Sequence, residues 1–349
     1  MPSLVAPSLI LVTGGSGFVG SGVISSLLGR NFAVRAAIRS DEEAHYLKAT
    51  FSSHVSERKL SFAYFSDIAD TGAFDGAVRD VDGVVHCASP VPSTIDPEQH
   101  PDVTINTAKK GVIGILSSAR QHGMNVKRIV ITSSAAAVTD TKEDNYVYNE
   151  ENWNMSAREL VTEMGYKAPP PLRYSASKVV AEKAAWDWMK EHQPAFDLVT
   201  LLPTFVWGRS PTSCPSHYHA GSDSLLLLPI SQALSGKLKD DQLLETTEMV
   251  DVLDVGEAHV QALVSPEATG QRFLLSAGWI SWKEALFILH DRPVAGISVP
   301  PVKEHTATSK VTSYCSAEKG KEVLGIKYRP KADTIYETVQ GAVEGGWTL

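Results

Sequence analysis

Glycine recurs at every third position, Gly14, Gly17 and Gly20, in the stretch Thr13-Gly14-Gly15-Ser16-Gly17-Phe18-Val19-Gly20. An apolar run at residues 9–12 precedes this stretch and a helical pattern at 19–28 follows it. Between a strand and a helix the spacing has a physical meaning. One glycine permits the tight turn, a second lets the backbone approach a pyrophosphate, and a third allows close helix packing, while the helix N-terminus attracts the phosphates. A chain with this turn at the end of its first strand is restricted to open, mostly parallel α/β sheets.

The rest of the chain keeps that rhythm. Short β-branched runs at 33–38, 60–65, 83–87 and 128–132 alternate with helical stretches near 42–50, 74–79 and 103–121. This predicts successive βαβ units with right-handed crossovers, a doubly wound α/β fold on a parallel sheet. Residues 139–173 break the pattern: they are polar, end in Pro169-Pro170-Pro171, and read as an insertion that walls or covers a pocket. A helix at 174–192 and a strand at 198–202, stopped by Pro203, resume it. Residues 205–223, with Trp207, Gly208, Pro211, Pro215, Tyr218 and Gly221, read as a long irregular loop of the kind that carries function. A further sheet strand is expected at 272–276. The predicted organisation is a nucleotide-binding unit over 1–203 plus about 233–276, and a smaller mixed α/β substrate-binding region over 204–232 and 277–349.

Composition narrows the class. The 349 residues carry a net charge of −8, with 43% hydrophobic and 21% charged residues, as a globular chain does. The acidic balance offers no surface for nucleic acid or an anionic membrane. Cys87, Cys214 and Cys315 are odd in number, widely spaced and in no CxxC pair. They suggest neither a disulfide framework nor a zinc site, and suit a reducing, cytoplasmic setting. The segment Cys214-Pro-Ser-His217-Tyr-His219 lacks a second ligand cluster, so no metal is expected. No positive stretch precedes the first apolar run, and the later run 225–230 contains Pro229, so neither a signal peptide nor a membrane span is expected.

At the end of the second predicted strand a carboxylate would bond the ribose 2′-hydroxyl of NAD, whereas an arginine would take the 2′-phosphate of NADP. The chain has Arg39 there, followed by Ser40 as a possible donor, with Lys48 as a further charge and Asp41 keeping NAD open. Among the tyrosines, Tyr174 has a lysine four residues on, Lys178, which places phenol and ammonium on one helix face. That helix follows the fifth strand, whose C-terminal end carries Ser133 and Ser134, where open α/β sheets bind ligands.

The TGGSGFVG stretch, Thr132-Ser133-Ser134-Ala135-Ala136-Ala137-Val138 and Tyr174-x-x-x-Lys178 together resemble the extended short-chain dehydrogenase/reductases, over nearly the whole chain. Within them, Arg39, Asp67-Ile68, His86-Cys87-Ala88-Ser89-Pro90 and Leu202-Pro203-Thr204 resemble the dihydroflavonol reductase group. Trp153-Asn154 and Ala185-Trp186-x-Trp188-Met189 resemble its fungal and yeast aldehyde and ketone reductases. The resemblance implies an NADPH-dependent carbonyl reductase. Tyr174 would donate the proton to the carbonyl oxygen, Lys178 would hold the nicotinamide ribose and ease that transfer, and Ser134, in preference to Ser133, would position the carbonyl. It also implies that Gly14, Gly17, Phe18, Val19, Gly20 and Arg39 hold the phosphates, that Asp67 and Ile68 contact the adenine, that Ala88 and Ser89 line the cofactor's path, and that Pro203, Thr204 and Val206 border the nicotinamide. The chain departs from many members in having Ala108, not asparagine, three residues before Gly111.

A small-molecule carbonyl substrate, a monomer or homodimer, and no macromolecular ligand complete the reading. The rivals are a nucleotide-sugar epimerase or dehydratase, which Arg39 disfavours, and an NADP-binding regulatory protein without catalysis, which the presence of Tyr174 and Lys178 disfavours. Trp153, Trp186 and Trp188 are read as packing residues, and Asp254 as the N-cap of a C-terminal helix.

Overall fold

The computed structural model describes residues 4–91, 95–96, 98–140, 145–212, 229–302 and 313–347. Its centre is a seven-stranded parallel sheet in the order β3-β2-β1-β4-β5-β7-β10. These strands are β1 (Leu9–Thr13), β2 (Ala33–Ile38), β3 (Leu60–Tyr64), β4 (Gly83–His86), β5 (Arg128–Thr132), β7 (Asp197–Pro203) and β10 (Arg272–Leu275). The helices that cover the sheet are α1 (Phe18–Gly29), α2 (Asp41–Thr50), the short α3 (Ser52–Ser56), α4 (Pro101–His122) and α6 (Pro170–His192). Later come α7 (Asp240–Leu243), α8 (Val252–Val264), α9 (Trp282–Asp291), α10 (Glu318–Leu324) and α11 (Lys331–Glu344). The predicted doubly wound fold is the observed one.

Burial on both faces explains why the strands read as unbroken apolar runs. Ile10, Val12, Val34, Ala36, Val85 and Val130 point to the face covered by α1 and α8, where Val23, Ile24, Leu27, Val255 and Leu263 meet them. The alternate residues Leu11, Ala37, Val84 and Ile129 point to the other face, against Ile115 and Leu116 of α4 and Ala185 and Trp188 of α6. The chain runs from β1 outward through β2 and β3, then returns to place β4 on β1's other side. Thr13 therefore lies opposite both Ala37 and His86, and the crevice where the strand order reverses opens at their C-terminal ends.

Two smaller sheets extend this frame. Strand β8 (Phe205–Trp207) pairs in parallel with β9 (Thr246–Asp251), which pairs antiparallel with β11 (Trp279–Ser281). Trp207, Met249 and Ile280 of this sheet form a core with Leu286 and Leu289 of α9 and Ile335 and Val339 of α11. Residues 205–207, expected in an irregular loop, are thus a strand, because Val206 and Trp207 find buried partners across β9. The insertion carries β6 (Tyr146–Tyr148), paired in parallel with β12 (Ser313–Cys315), and α5 (Met155–Met164).

Two further expectations are corrected. Residues 74–79 form turns in place of the predicted helix: Gly72 adopts a positive φ of 75° and only short-range bonds such as Asp75 N–H to Gly72 O follow. Phe74 and Val78 still reach the core, which is the periodicity the sequence displays. The N-cap of α8 is Asp251, not Asp254: Asp251 has the extended backbone a cap needs and accepts the Leu253 N–H at 2.8 Å. Asp254 lies inside the first turn and accepts the Arg329 N–H at 2.9 Å.

Candidate active site

The glycine turn is built by exclusion. Gly14 has φ of +67°, and a Cβ there would stand 2.8 Å from the Ala88 nitrogen, so the turn lies directly against the segment that leaves β4. A Cβ on Gly20 would be 2.0 Å from the Gly14 carbonyl oxygen, a contact no side chain survives. Gly17 caps α1 with backbone alone, and the first turn of α1 has no acidic residue, so no side-chain cap or carboxylate competes there with an anion. Phe18 is buried and Val19 packs on the same core, anchoring the turn from below. Ala88 donates its N–H to Thr13 Oγ1 at 3.3 Å, and Ser89 follows in the same half-buried stretch. A bare, acid-free helix N-terminus behind a cradle that any Cβ would fill fits a pyrophosphate-bearing dinucleotide.

Beside this turn the C-terminal end of β5 gathers polar groups. Ser133 is buried and donates to Glu182 Oε2 at 2.6 Å. Ser134 is half-buried and begins a short 3₁₀ turn, accepting the Ala136 N–H at 3.1 Å, which leaves its own hydrogen to donate outward. Lys178, buried on α6, donates from Nζ to the Thr132 carbonyl at 3.4 Å and lies 5.5 Å from the centre of the Tyr174 ring. Lys178 thus links the Tyr174 ring to the end of β5, two residues before Ser134. Pro203 closes β7, Thr204 binds the Leu275 carbonyl through N–H and Oγ1 at 3.0 and 3.2 Å, and Val206 is buried in β8.

Two histidines lie below these groups without adding charge. Burial first, and the Lys178 cation second, push His86 down to about 3, and burial pushes His259 down to about 4. His259 donates from Nδ1 to the Val255 carbonyl at 2.7 Å, so its Nε2 accepts from Thr132 at 2.7 Å. The Thr132 hydrogen is then committed, and the Cys87 thiol, 3.2 Å away and pushed up to about 11 by burial, is the donor to Thr132 Oγ1.

At the adenine end Arg39 is exposed and paired with Glu43, while Asp67 accepts the Ala69 N–H at 2.8 Å and Ile68 packs over Gly111. Ser40 caps α2, and Lys48 lies over the Phe62 ring. The tryptophans serve packing: Trp188 is buried and stacked with His192 and Phe196, Trp153 carries the Arg272 guanidinium on its face, and Trp186, on α6, packs half-buried against the core. Cys214, His217 and His219 lie outside the described residues.

Sequence reasoning missed the residues that brace the catalytic face. Glu182, one turn beyond Lys178, receives Ser133, Thr200 and Arg272, the last at 2.7 Å, and Arg272 also binds the carbonyls of Glu150 and Asn152. Arg173, fully buried next to Tyr174, donates to the carbonyls of Gln99, Tyr166 and Ala168. The spacing Tyr174, Lys178, Glu182 is a signal available in the sequence; the Arg272 partners and the Gln99 carbonyl that Arg173 binds are not, because they come from distant segments.

Comparison with known proteins agrees with this geometry. The NAD dependent epimerase/dehydratase family matches residues 10–275. The ketoreductase azaE of Aspergillus niger is 31% identical over 344 residues, covering 96% of this chain and 97% of that protein. The NADPH-dependent methylglyoxal reductase GRE2 of Saccharomyces cerevisiae is also 31% identical, over 94% of this chain and 96% of its own length. The crystal structure of yeast methylglyoxal/isovaleraldehyde reductase Gre2 complexed with NADPH superposes with a TM-score of 0.84 at 28% identity, covering 97% of this chain and all of that one.

Proposed function

Because the chain belongs to the NAD dependent epimerase/dehydratase family, in its extended short-chain dehydrogenase/reductase branch, we propose that it is an NADPH-dependent reductase of an aldehyde or ketone. The observation that supports the reading most is Lys178, which lies against the Tyr174 ring and bonds the Thr132 carbonyl two residues before Ser134, in a fold whose first helix has an acid-free N-terminus with no side-chain cap. Gly14, Gly17, Phe18, Val19 and Gly20 would hold the pyrophosphate, Arg39 the 2′-phosphate, and Asp67 and Ile68 the adenine. Ala88, Ser89, Pro203, Thr204, Val206 and Lys178 would border the ribose and nicotinamide. When bound, reduced nicotinamide supplies a hydride to a carbonyl carbon.

The chain's own residues handle the oxygen. Ser134 donates a hydrogen bond to the carbonyl oxygen and fixes its direction. Tyr174 gives that oxygen its phenolic proton as negative charge develops there, so alcohol forms and a phenolate remains. Lys178 stabilises the phenolate as a neighbouring cation, and the neutral His86 beneath it leaves this charge undiluted. Glu182 engages Ser133 and so keeps the adjacent hydroxyl, Ser134, as the one presented to substrate. The substrate is assigned to the region 204–232 and 277–349 together with the insertion 139–173, and the protein to the cytoplasm, where its cysteines remain reduced.

The test follows NADPH and NADH consumption with aldehydes, keto esters and aryl ketones, using Tyr174→Phe as the comparison. Turnover with NADPH should fall by about 1,000-fold in the variant, with cofactor affinity retained. Turnover that survives in Tyr174→Phe would remove the assigned proton donor, and tight NADPH binding without turnover by either protein would favour a sensor.

A further inference from the structure

The two helix N-termini nearest the crevice are charged in opposite ways. That of α1 has no acid in its first turn, whereas α2 opens with Asp41, Glu42 and Glu43. Glu43 takes hold of Arg39: Oε1 receives Nε at 2.8 Å and lies 2.6 Å from Nη2, while Oε2 receives the Arg39 backbone N–H at 2.8 Å. The guanidinium side chain is 66% exposed and the Glu43 side chain only 19%, so the carboxylate is the anchored partner. The surrounding charges give Arg39 little help. Asp41 receives the Tyr64 hydroxyl at 2.5 Å and pairs with Lys48 at 3.8 Å, Glu42 is exposed, and Asp70 lines the same groove as Arg39. Two cations therefore face four acids.

A 2′-phosphate arriving here carries close to two negative charges and must compete with Glu43 for the fork of Arg39. A ribose 2′-hydroxyl brings no charge and can donate to a carboxylate at the end of the second strand, the arrangement that favours NAD. We propose that Glu43 tunes the cofactor preference of this protein: it competes with the 2′-phosphate for Arg39, accepts the 2′-hydroxyl of NADH, and so narrows the preference for NADPH over NADH. This rests on the reductase reading and concerns its adenosine end alone.

Titration calorimetry of the purified protein with NADPH, NADH, adenosine 2′,5′-bisphosphate and AMP tests it without turnover. Glu43→Gln keeps an oxygen for the Arg39 N–H and leaves the Ser40 cap, which uses the backbone of residue 43, intact. This variant should bind NADPH and the bisphosphate about five- to tenfold more tightly and NADH about twofold more weakly. Glu42→Gln, which removes an equal charge without touching Arg39, should change either by less than about twofold, and in an Arg39→Ala background the gain from Glu43→Gln should vanish. Unchanged or weaker NADPH binding in Glu43→Gln would overturn the proposal and leave the reductase standing. Failure of the unaltered protein to bind either dinucleotide would take down both.

Discussion

The proposed phosphate cradle and the proposed catalytic face both lie at the C-terminal ends of the sheet's strands, yet they are made of different material. The cradle is backbone: Gly14, Gly17 and Gly20 act by what they lack, and the helix that follows begins with neither a side-chain cap nor an acid in its first turn. The catalytic face is side chain throughout. Ser134 follows β5 and Tyr174 and Lys178 lie on α6, and a buried Glu182–Arg272 pair ties α6 to Ser133, to the insertion and to β10. A site made of backbone is spoiled by adding an atom; a site made of side chains is spoiled by removing one.

The first way to break this contrast is to add the atom. Gly20→Ala puts a methyl group 2.0 Å from the Gly14 carbonyl oxygen. The turn must open at a cost of about 1–3 kcal/mol in stability, and NADPH affinity should drop by about 100-fold at a temperature where the variant is still folded. Affinity retained within a factor of about three, measured by calorimetry, would mean the cradle is not a backbone device.

Removing atoms sharpens the other side. Ser134→Ala should lower kcat about 100-fold with NADPH affinity unchanged. Ser133→Ala deletes the hydroxyl that Glu182 engages and should leave kcat within about threefold while costing about 1 kcal/mol of stability. Equal losses of kcat in both variants would show that the two serines share the role.

The smallest effect concerns the neutral histidines under the catalytic face. Folded, His86 and His259 take up protons only near 3 and 4, against 6.5 for the free side chain. Below pH 6.5 the unfolded chain binds more protons than the folded one, so the stability these groups contribute is full above that pH and is lost as pH falls toward 4. Asp254, pushed up by burial to about 6, acts in the opposite sense, because its folded form holds a proton to higher pH. His259→Gln retains an acceptor for Thr132 and removes one titration. Urea unfolding at pH 7 and pH 5 should therefore show a loss on acidification smaller by about 2 kcal/mol than in the unaltered chain. Parallel pH slopes would mean that His259 takes up its proton as readily in the folded protein as in the unfolded chain.

The same contrast explains what could be read in advance. Residues 9–20 announce a strand, a turn and a helix because each requirement is local: apolar faces, positive φ and absent Cβ atoms lie consecutively in the chain. Tyr174 and Lys178 were legible for a similar reason, since a four-residue step places both on one side of α6. Arg272 gives no such signal, because its meaning depends on Glu182, 90 residues earlier, and on carbonyls at 150 and 152. The helix read at 74–79 shows the limit of periodicity. Phe74 and Val78 point inward with helical spacing, and Gly72 and Gly76 relax the backbone between them into turns. The cap of α8 went to Asp251 because extended backbone, not the type of side chain, decides which aspartate can serve.

One crossing decides how freely the two halves of the site can diverge. Helices α1 and α8 meet where a Cβ on Gly22 would be 2.8 Å from Val252 Cγ2 and a Cβ on Gly256 would be 2.4 Å from Ser26 Oγ. Neither helix can gain bulk there without being pushed off the sheet. Because α1 starts at the phosphate turn and α8 starts where β9 delivers the chain from the smaller sheet, this seam acts as a fixed datum for both. Sequence drift in the outer strands and in α9 or α11 would reshape the proposed substrate region, while the distance from that seam to the glycine turn stays the same. New substrates can be acquired on this scaffold without rebuilding the part that grips the nucleotide.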